Sequence, residues 1–170
     1  SSLSYAESKS SISFKTGSLT LADKNQTIDS AVTFDEASSN VFAIEYEYKM
    51  KSNLSWGAEY IGYKNTYASE AGTATFYHIM FNIRKRFAVA KHAEPFIGIG
   101  AGASAVALGG IGGGKGGGFS FQLLAGVKFP FKDFSAVIEY KIIEASPDDK
   151  AGTSVTSSGS GLFAGIGISF

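Results

Sequence analysis

Residues 161–170 read GLFAGIGISF. At the two-residue period of a strand, Leu162, Ala164, Ile166, Ile168 and Phe170 share one face, and Gly161, Phe163, Gly165, Gly167 and Ser169 share the other. The first face is apolar throughout; the second is small apart from Phe163. A soluble sheet finishing on such a strand would hold Ile and Phe against water. In a bilayer, a strand that closes a barrel gives its apolar face to lipid and its backbone groups to neighbouring strands.

The same alternation runs back through the chain. A second strand sets Phe42, Ile44, Tyr46, Tyr48 and Met50 against Val41, Ala43, Glu45, Glu47 and Lys49. A third sets Leu54, Trp56, Ala58 and Tyr60 against Ser55, Gly57, Glu59, Ile61 and Tyr63. In the fourth, Tyr77, Ile79, Phe81, Ile83 and Phe87 oppose His78, Met80, Asn82, Arg84 and Arg86, and Lys85 lies on the apolar side near the strand end, where it can snorkel. The fifth alternates Ile97, Ile99, Ala101, Ala103 and Ala105 with Gly98, Gly100 and Gly102. The sixth runs from Phe119 to Phe129. The seventh sets Phe134, Ala136, Ile138, Tyr140 and Ile142 against Ser135, Val137, Glu139, Lys141 and Ile143. The first strand is weaker: Ile12, Phe14 and Thr16 set a phase that slips to Leu19 and Leu21, which predicts a bulge at Gly17. Residues 22–40 read as a polar loop with a short extension around Val32 to Phe34.

Residues 95–114 are 20 uncharged residues, the nominal length of a spanning helix. Eight of them are glycine, and glycine weakens a helix by roughly 1 kcal/mol per residue. The strand reading stands, and a mean hydropathy of +0.07 is too low for a bundle of membrane helices.

The expected fold is therefore all-β: an eight-stranded antiparallel transmembrane β-barrel, an up-and-down meander forming one domain over residues 1–170, with 1–9 a Ser-rich lead-in, disordered or a strand start. Connections are expected to be long after strands one, five and seven, moderate after three, and short after two, four and six, the asymmetry of tight periplasmic turns and external loops. Net charge is zero, with 18% charged residues, so no footprint for nucleic acid is visible. The absence of Cys excludes disulfides, a thiolate zinc site and a Cys nucleophile. No signal peptide is present, so an exported protein would be read here in its mature form.

A soluble lipocalin-like barrel would show the same alternation with the opposite face as its core. Three features favour the membrane. Glycines crowd the polar face, as a narrow interior requires. Tyr48, Trp56, Phe87, Phe129, Phe134 and Phe170 lie on the apolar face beside the short turns, where an aromatic girdle belongs. Phe170 has no role in a soluble barrel.

On these residues the chain resembles the small bacterial outer-membrane barrels, the group of outer membrane proteins A, X and W and the neisserial opacity proteins. Gly165, Ile168 and Phe170 match the C-terminal signature by which the outer-membrane assembly machinery recognises barrels, with Phe163 in place of the usual polar residue. The run from Pro95 to Gly102 (PFIGIGAG) resembles a strand common to the group, and FKTGSLTL at 14–21 resembles the opening strand of the W group. The resemblance implies residence in the bacterial outer membrane and contact with membrane lipid, including lipopolysaccharide.

The inward face carries Glu45, Glu47, Glu59 and Glu139 with Lys49, Arg84, Arg86, Lys128, Lys141 and His78, a polar network expected to pair across and plug the lumen. A structural or surface-interaction role is then expected, with ligand or host-surface contact on loops 17–40, 108–118 and 145–159. The alternative is a narrow channel for small solutes; this lumen reads as more polar than that of the W group. Residues 109–115 spell G-x-x-x-x-G-K, but Gly116 replaces the Ser or Thr of a phosphate loop and a strand follows instead of a helix. The strand segments also resemble those of a lipid A deacylase, yet residues 139–144 (EYKIIE) lack the His-x-Ser of that enzyme, so no enzyme is expected. Neither a cofactor nor a metal is expected, since His78 and His92 have no ligand-spaced partner.

Overall fold

The computed structural model describes residues 10–21, 25–28, 30–33, 38–50, 53–66, 72–87, 89, 92–110, 115–145, 148–149 and 158–170. The expected lead-in at 1–9 lies outside them. Eight long strands form the wall: β1 (Ser10–Leu21), β2 (Ser38–Lys49), β3 (Leu54–Thr66), β4 (Gly72–Arg86), β5 (Glu94–Gly110), β6 (Lys115–Phe131), β7 (Phe134–Ala145) and β8 (Gly159–Ser169). Each pairs antiparallel with the next, and β8 returns to pair with β1, so the meander closes and leaves no free edge. Reciprocal backbone hydrogen bonds between Ser10 and Phe170, at 3.2 and 2.9 Å, tie the seam at the short-turn end.

The ring is strongly staggered. A path through paired residues leaves β1 at Ser10, crosses Tyr48, Trp56, Ile83, Ile99, Leu123, Ile142 and Ser160, and re-enters β1 at Thr20, ten residues further along. A stagger of that size over eight strands tilts them by about 40° from the barrel axis.

Several expectations change. Gly17 makes no bulge: β1 pairs without interruption through Gly17↔Val41 and Gly17↔Phe163. The apolar phase changes there because Leu19 and Leu21 point inward, to a lumen that becomes apolar toward the loop end. Residues 108–118 are mostly strand, since β5 runs to Gly110 and β6 starts at Lys115; only 111–114 lie outside the described residues. The connection after strand five is thus short. Glycine did not prevent pairing here because both partner strands are extended and in register, as in Ala105↔Gly117. Two short segments, Asn25–Ile28 and Ser30–Thr33, pair as a hairpin within the expected first loop, and Asp148–Asp149 adds to β6. Most of the expected loop at 145–159 lies outside the described residues.

The two faces separate as the alternation predicts. Ile79, Ile99, Phe119, Phe121, Ile138, Leu162 and Ile166 are exposed on the outside, while Lys15, Glu59, Arg84, Glu139 and Lys141 are buried inside. Such a molecule has its apolar surface outward and its charges inward, which only a hydrocarbon solvent stabilises.

Candidate functional site

The lumen is the only concentration of buried charge among the described residues, and it is built in two layers. The layer nearer the short turns is ionic. Lys15 on β1 is its hub: the ammonium Nζ donates to Glu45 Oε2 at 2.6 Å, Glu59 Oε1 at 2.9 Å and Glu139 Oε1 at 2.5 Å. Lys141 bridges Glu59 and Glu139 from the loop side, lying 3.1 Å from Glu139 Oε1. Arg84 Nη1 meets Glu45 Oε1 at 2.5 Å and Glu47 Oε1 at 3.6 Å, and its Nη2 lies 3.5 Å from Glu139 Oε2. Arg86 joins Glu47 to Glu94, both at 2.5 Å, and Lys128 Nζ reaches Glu47 Oε2 at 3.2 Å and Ser11 Oγ at 3.1 Å. Amides complete the set: Asn82 Nδ2 and Gln122 Nε2 each donate to Glu59 Oε2 at 3.1 Å. Each buried carboxylate therefore faces at least one cation, the condition under which buried charge is tolerated.

Strand β8 contributes no charge to this layer, and that is what lets the layer form. β8 lies between β1 and β7, with Gly165 paired to Lys15 on one side and Val137 on the other. A Cβ at Gly165 would meet Lys15 Cγ and the β1 backbone. The absent side chain leaves the path along which Lys15 crosses β8 to reach Glu139.

The layer nearer the loops is apolar. Leu19, Val41, Ile61, Phe76, Met80, Ile143 and Phe163 pack there with almost no exposure. The Phe163 ring caps the ionic layer, 4.8 Å from Lys141 Nζ, and Phe96 lies 5.3 Å from the Arg84 guanidinium carbon on the short-turn side.

The structure brings Glu45, Glu47, Glu59, Arg84, Arg86, Lys128, Glu139 and Lys141 into one network. His78 does not join it. Its ring stacks on Tyr63 at 5.7 Å in the apolar layer, and neither ring nitrogen has a hydrogen-bond partner among the described residues. Distance along the strand is the reason: His78 and Arg84 are inward on the same strand, six residues or about 20 Å apart, and thus belong to different layers. Lys49 sits at the rim, 3.7 Å from Glu94 and partly exposed. Lys15 and Glu94 were not among the sequence candidates. Lys15 was legible from the opposition of Ile12, Phe14 and Thr16 to Ser11, Ser13 and Lys15; the apparent slip at Gly17 obscured it. The polar network occupies the short-turn half of the lumen, and the loop-side half is apolar.

The six aromatic residues picked from sequence all point outward. Tyr48, Trp56 and Phe129 are half-buried among neighbours, Tyr48 and Trp56 in contact at 5.9 Å, while Phe87, Phe134 and Phe170 are exposed. Phe131, opposite Phe134, belongs to the same end.

Closed meander, apolar exterior and inward-facing charge define the class: an eight-stranded transmembrane β-barrel of the bacterial outer-membrane type. Solved structures agree with it in fold. The chain is similar to neisserial surface protein A (NspA), with a TM-score of 0.72, 15% identity, and coverage of 95% of this chain and 96% of that one. It is similar to Ail, the attachment invasion locus protein of Yersinia pestis (TM-score 0.58, 18% identity, 96% and 99% covered), and to the N-terminal β-barrel domain of Pseudomonas aeruginosa OprF (0.55, 12%, 96% and 98%). No family model matches the sequence, and no curated protein matches it.

Proposed function

We propose that this protein is a sealed outer-membrane barrel that acts through its lipid-facing and loop-side surfaces and not as a conduit. The observation that carries this reading is the two-layered lumen. An ion would have to leave the Lys15 network and cross an apolar layer of Leu19, Ile61, Phe76 and Ile143. An apolar solute would cross that layer and then meet paired charges. The cavity among Lys15, Glu45, Arg84, Arg86, Lys128 and Glu139 is about 10 Å³, room for one water. Binding at the loops and assembly through the outward Ile168 of β8 and the Phe170 that follows it belong to the same proposal.

Single-channel recording in planar bilayers tests it. The unchanged protein is expected to show no reproducible conductance, and so is Glu59→Ala with Arg84→Ala, because the apolar layer remains. Combining those changes with Phe76→Ala and Phe163→Ala is expected to produce steps. Reproducible conductance from the unchanged protein would establish the narrow channel instead.

A further inference from the structure

The apolar belt around the barrel is not level. Half a circuit takes a row of paired residues from Ser13 on β1 through Glu45, Glu59 and Met80 to Gly102 on β5. A full circuit climbs ten residues toward the loop end, so half of one climbs five, and Gly102 is level with Ser18 on the opposite wall. Around that height β4, β5 and β6 present Ile79, Ala103 and Phe119, paired side by side, all exposed and Phe119 82% so. The facing wall is polar there. Ser18 pairs with Asn40 and Thr20 with Ser160, and Ser18, Thr20 and Asn40 are exposed on the outside.

At the short-turn end the asymmetry is reversed. Lys85 is outward and exposed on β4, and its row runs through Ile97, Ala125 and Tyr140 to Leu162 on β8, the strand opposite β4. The same five-residue climb makes Gly167 level with Lys85, between the outward, exposed Ile166 and Ile168.

We infer that the barrel crosses its bilayer leaning toward β4–β6, and that the outer wall of β8, β1 and β2 around Ser18, Thr20, Asn40 and Ser160 stands in the loop-side head-group layer. Upright, the barrel would place either Ser18 and Asn40 in hydrocarbon or Ile79 and Phe119 in the polar layer, each at a cost. One rotation relieves both ends: it sinks Phe119, lifts Ser18, lowers Lys85 out of the hydrocarbon and raises Ile168 into it. Tilting is the ordinary response of a spanning element to a mismatched belt. A bilayer thinned only beside β1 would match the loop-side difference and leave Lys85 opposite Ile166 and Ile168. A second copy seated on the hydroxyl strip would also leave that difference standing.

The chain has no cysteine, so single nitroxide labels can report depth in the intact barrel in phosphatidylcholine vesicles. The sites are Ser18→Cys with Ala103→Cys, and Lys85→Cys with Ile168→Cys, each pair one residue from level. The ratio of collisions with oxygen to collisions with a water-soluble nickel chelate is expected to be several-fold higher at Ala103 than at Ser18, and several-fold higher at Ile168 than at Lys85. Ser18→Leu with Asn40→Leu should make the belt more level, lowering the ratio at Ala103 and raising it at Lys85, both far from the changed residues. Mobility in dodecyl sulfate before and after boiling reads folding of each variant. Equal ratios within both pairs mean an upright barrel and overturn the inference. A difference confined to one pair means a local change in bilayer thickness and overturns it too. So does a Ser18 label shielded from both reagents and broadened by a second label, which gives the strip to another copy.

Discussion

Lys15 and Glu139 are 124 residues apart in sequence, and their Nζ and Oε1 atoms are 2.5 Å apart in the lumen. The contact passes over β8 at Gly165, so the first and seventh strands are joined across the eighth.

Removing the hub cation exposes what it holds. Lys15→Met leaves Glu45, Glu59 and Glu139 short of their shared partner, and an uncompensated buried charge costs about 3–5 kcal/mol. Reversible denaturant unfolding in lipid or detergent is expected to show a loss of that order. Adding Glu139→Gln should restore part of it, because Lys141 and Arg84 remain for the other acids.

Gly165 should resist substitution for a reason of space. Valine there would push against Lys15 and the β1 backbone, and overpacking of this kind costs about 1–3 kcal/mol. In the Lys15→Ala background the share of that cost owed to Lys15 Cγ should vanish, while the share owed to the β1 backbone remains. A double-mutant cycle with purely additive losses would refute the crossing.

The outside has the opposite demand. Ile138 is exposed on the lipid face in mid β7, and arginine at such a depth costs about 2–4 kcal/mol. Ile138→Phe is expected to be nearly neutral. The comparison is read from unfolding in bilayers, where an equal effect of both changes would deny the face its lipid contact.

The tightest turn carries strain that can be relieved. Lys132 has φ 38 in the two-residue connection between β6 and β7. A non-glycine residue in that region pays about 1 kcal/mol, so Lys132→Gly should stabilise the barrel by up to that amount. Asn53, at φ 59, is of a type that adopts such a conformation readily, and Asn53→Val should be destabilising.

The wall of the barrel was legible because a lipid-facing strand must alternate at every second residue. Glu45 opposite Tyr46, and Glu139 opposite Ile138, each assign a face without any partner being known. The lumen's division was not legible to the same degree. Val41, Ile61, Ile143 and Phe163 sit on the charged face of their strands, and alternation treats them as noise. They become one layer only after the ten-residue stagger decides which positions share a height. His78 is too far along its strand from Arg84 to join the network, and pairing, which periodicity does not report, made strand of 108–110 and 115–118 in the glycine stretch.

Closure of the ring and neutralisation of its charges are one event. Before β1 meets β8, Glu139 on β7 has no access to Lys15, and the network that Lys15 begins with Glu45 on neighbouring β2 stays incomplete. An open eight-stranded sheet lying in a membrane would present bare carboxylates to hydrocarbon along with its unpaired edges. The lumen thus acts as a check on assembly: a chain that has inserted all but its last strand has no low-energy resting place, and the final pairing settles charge and backbone together.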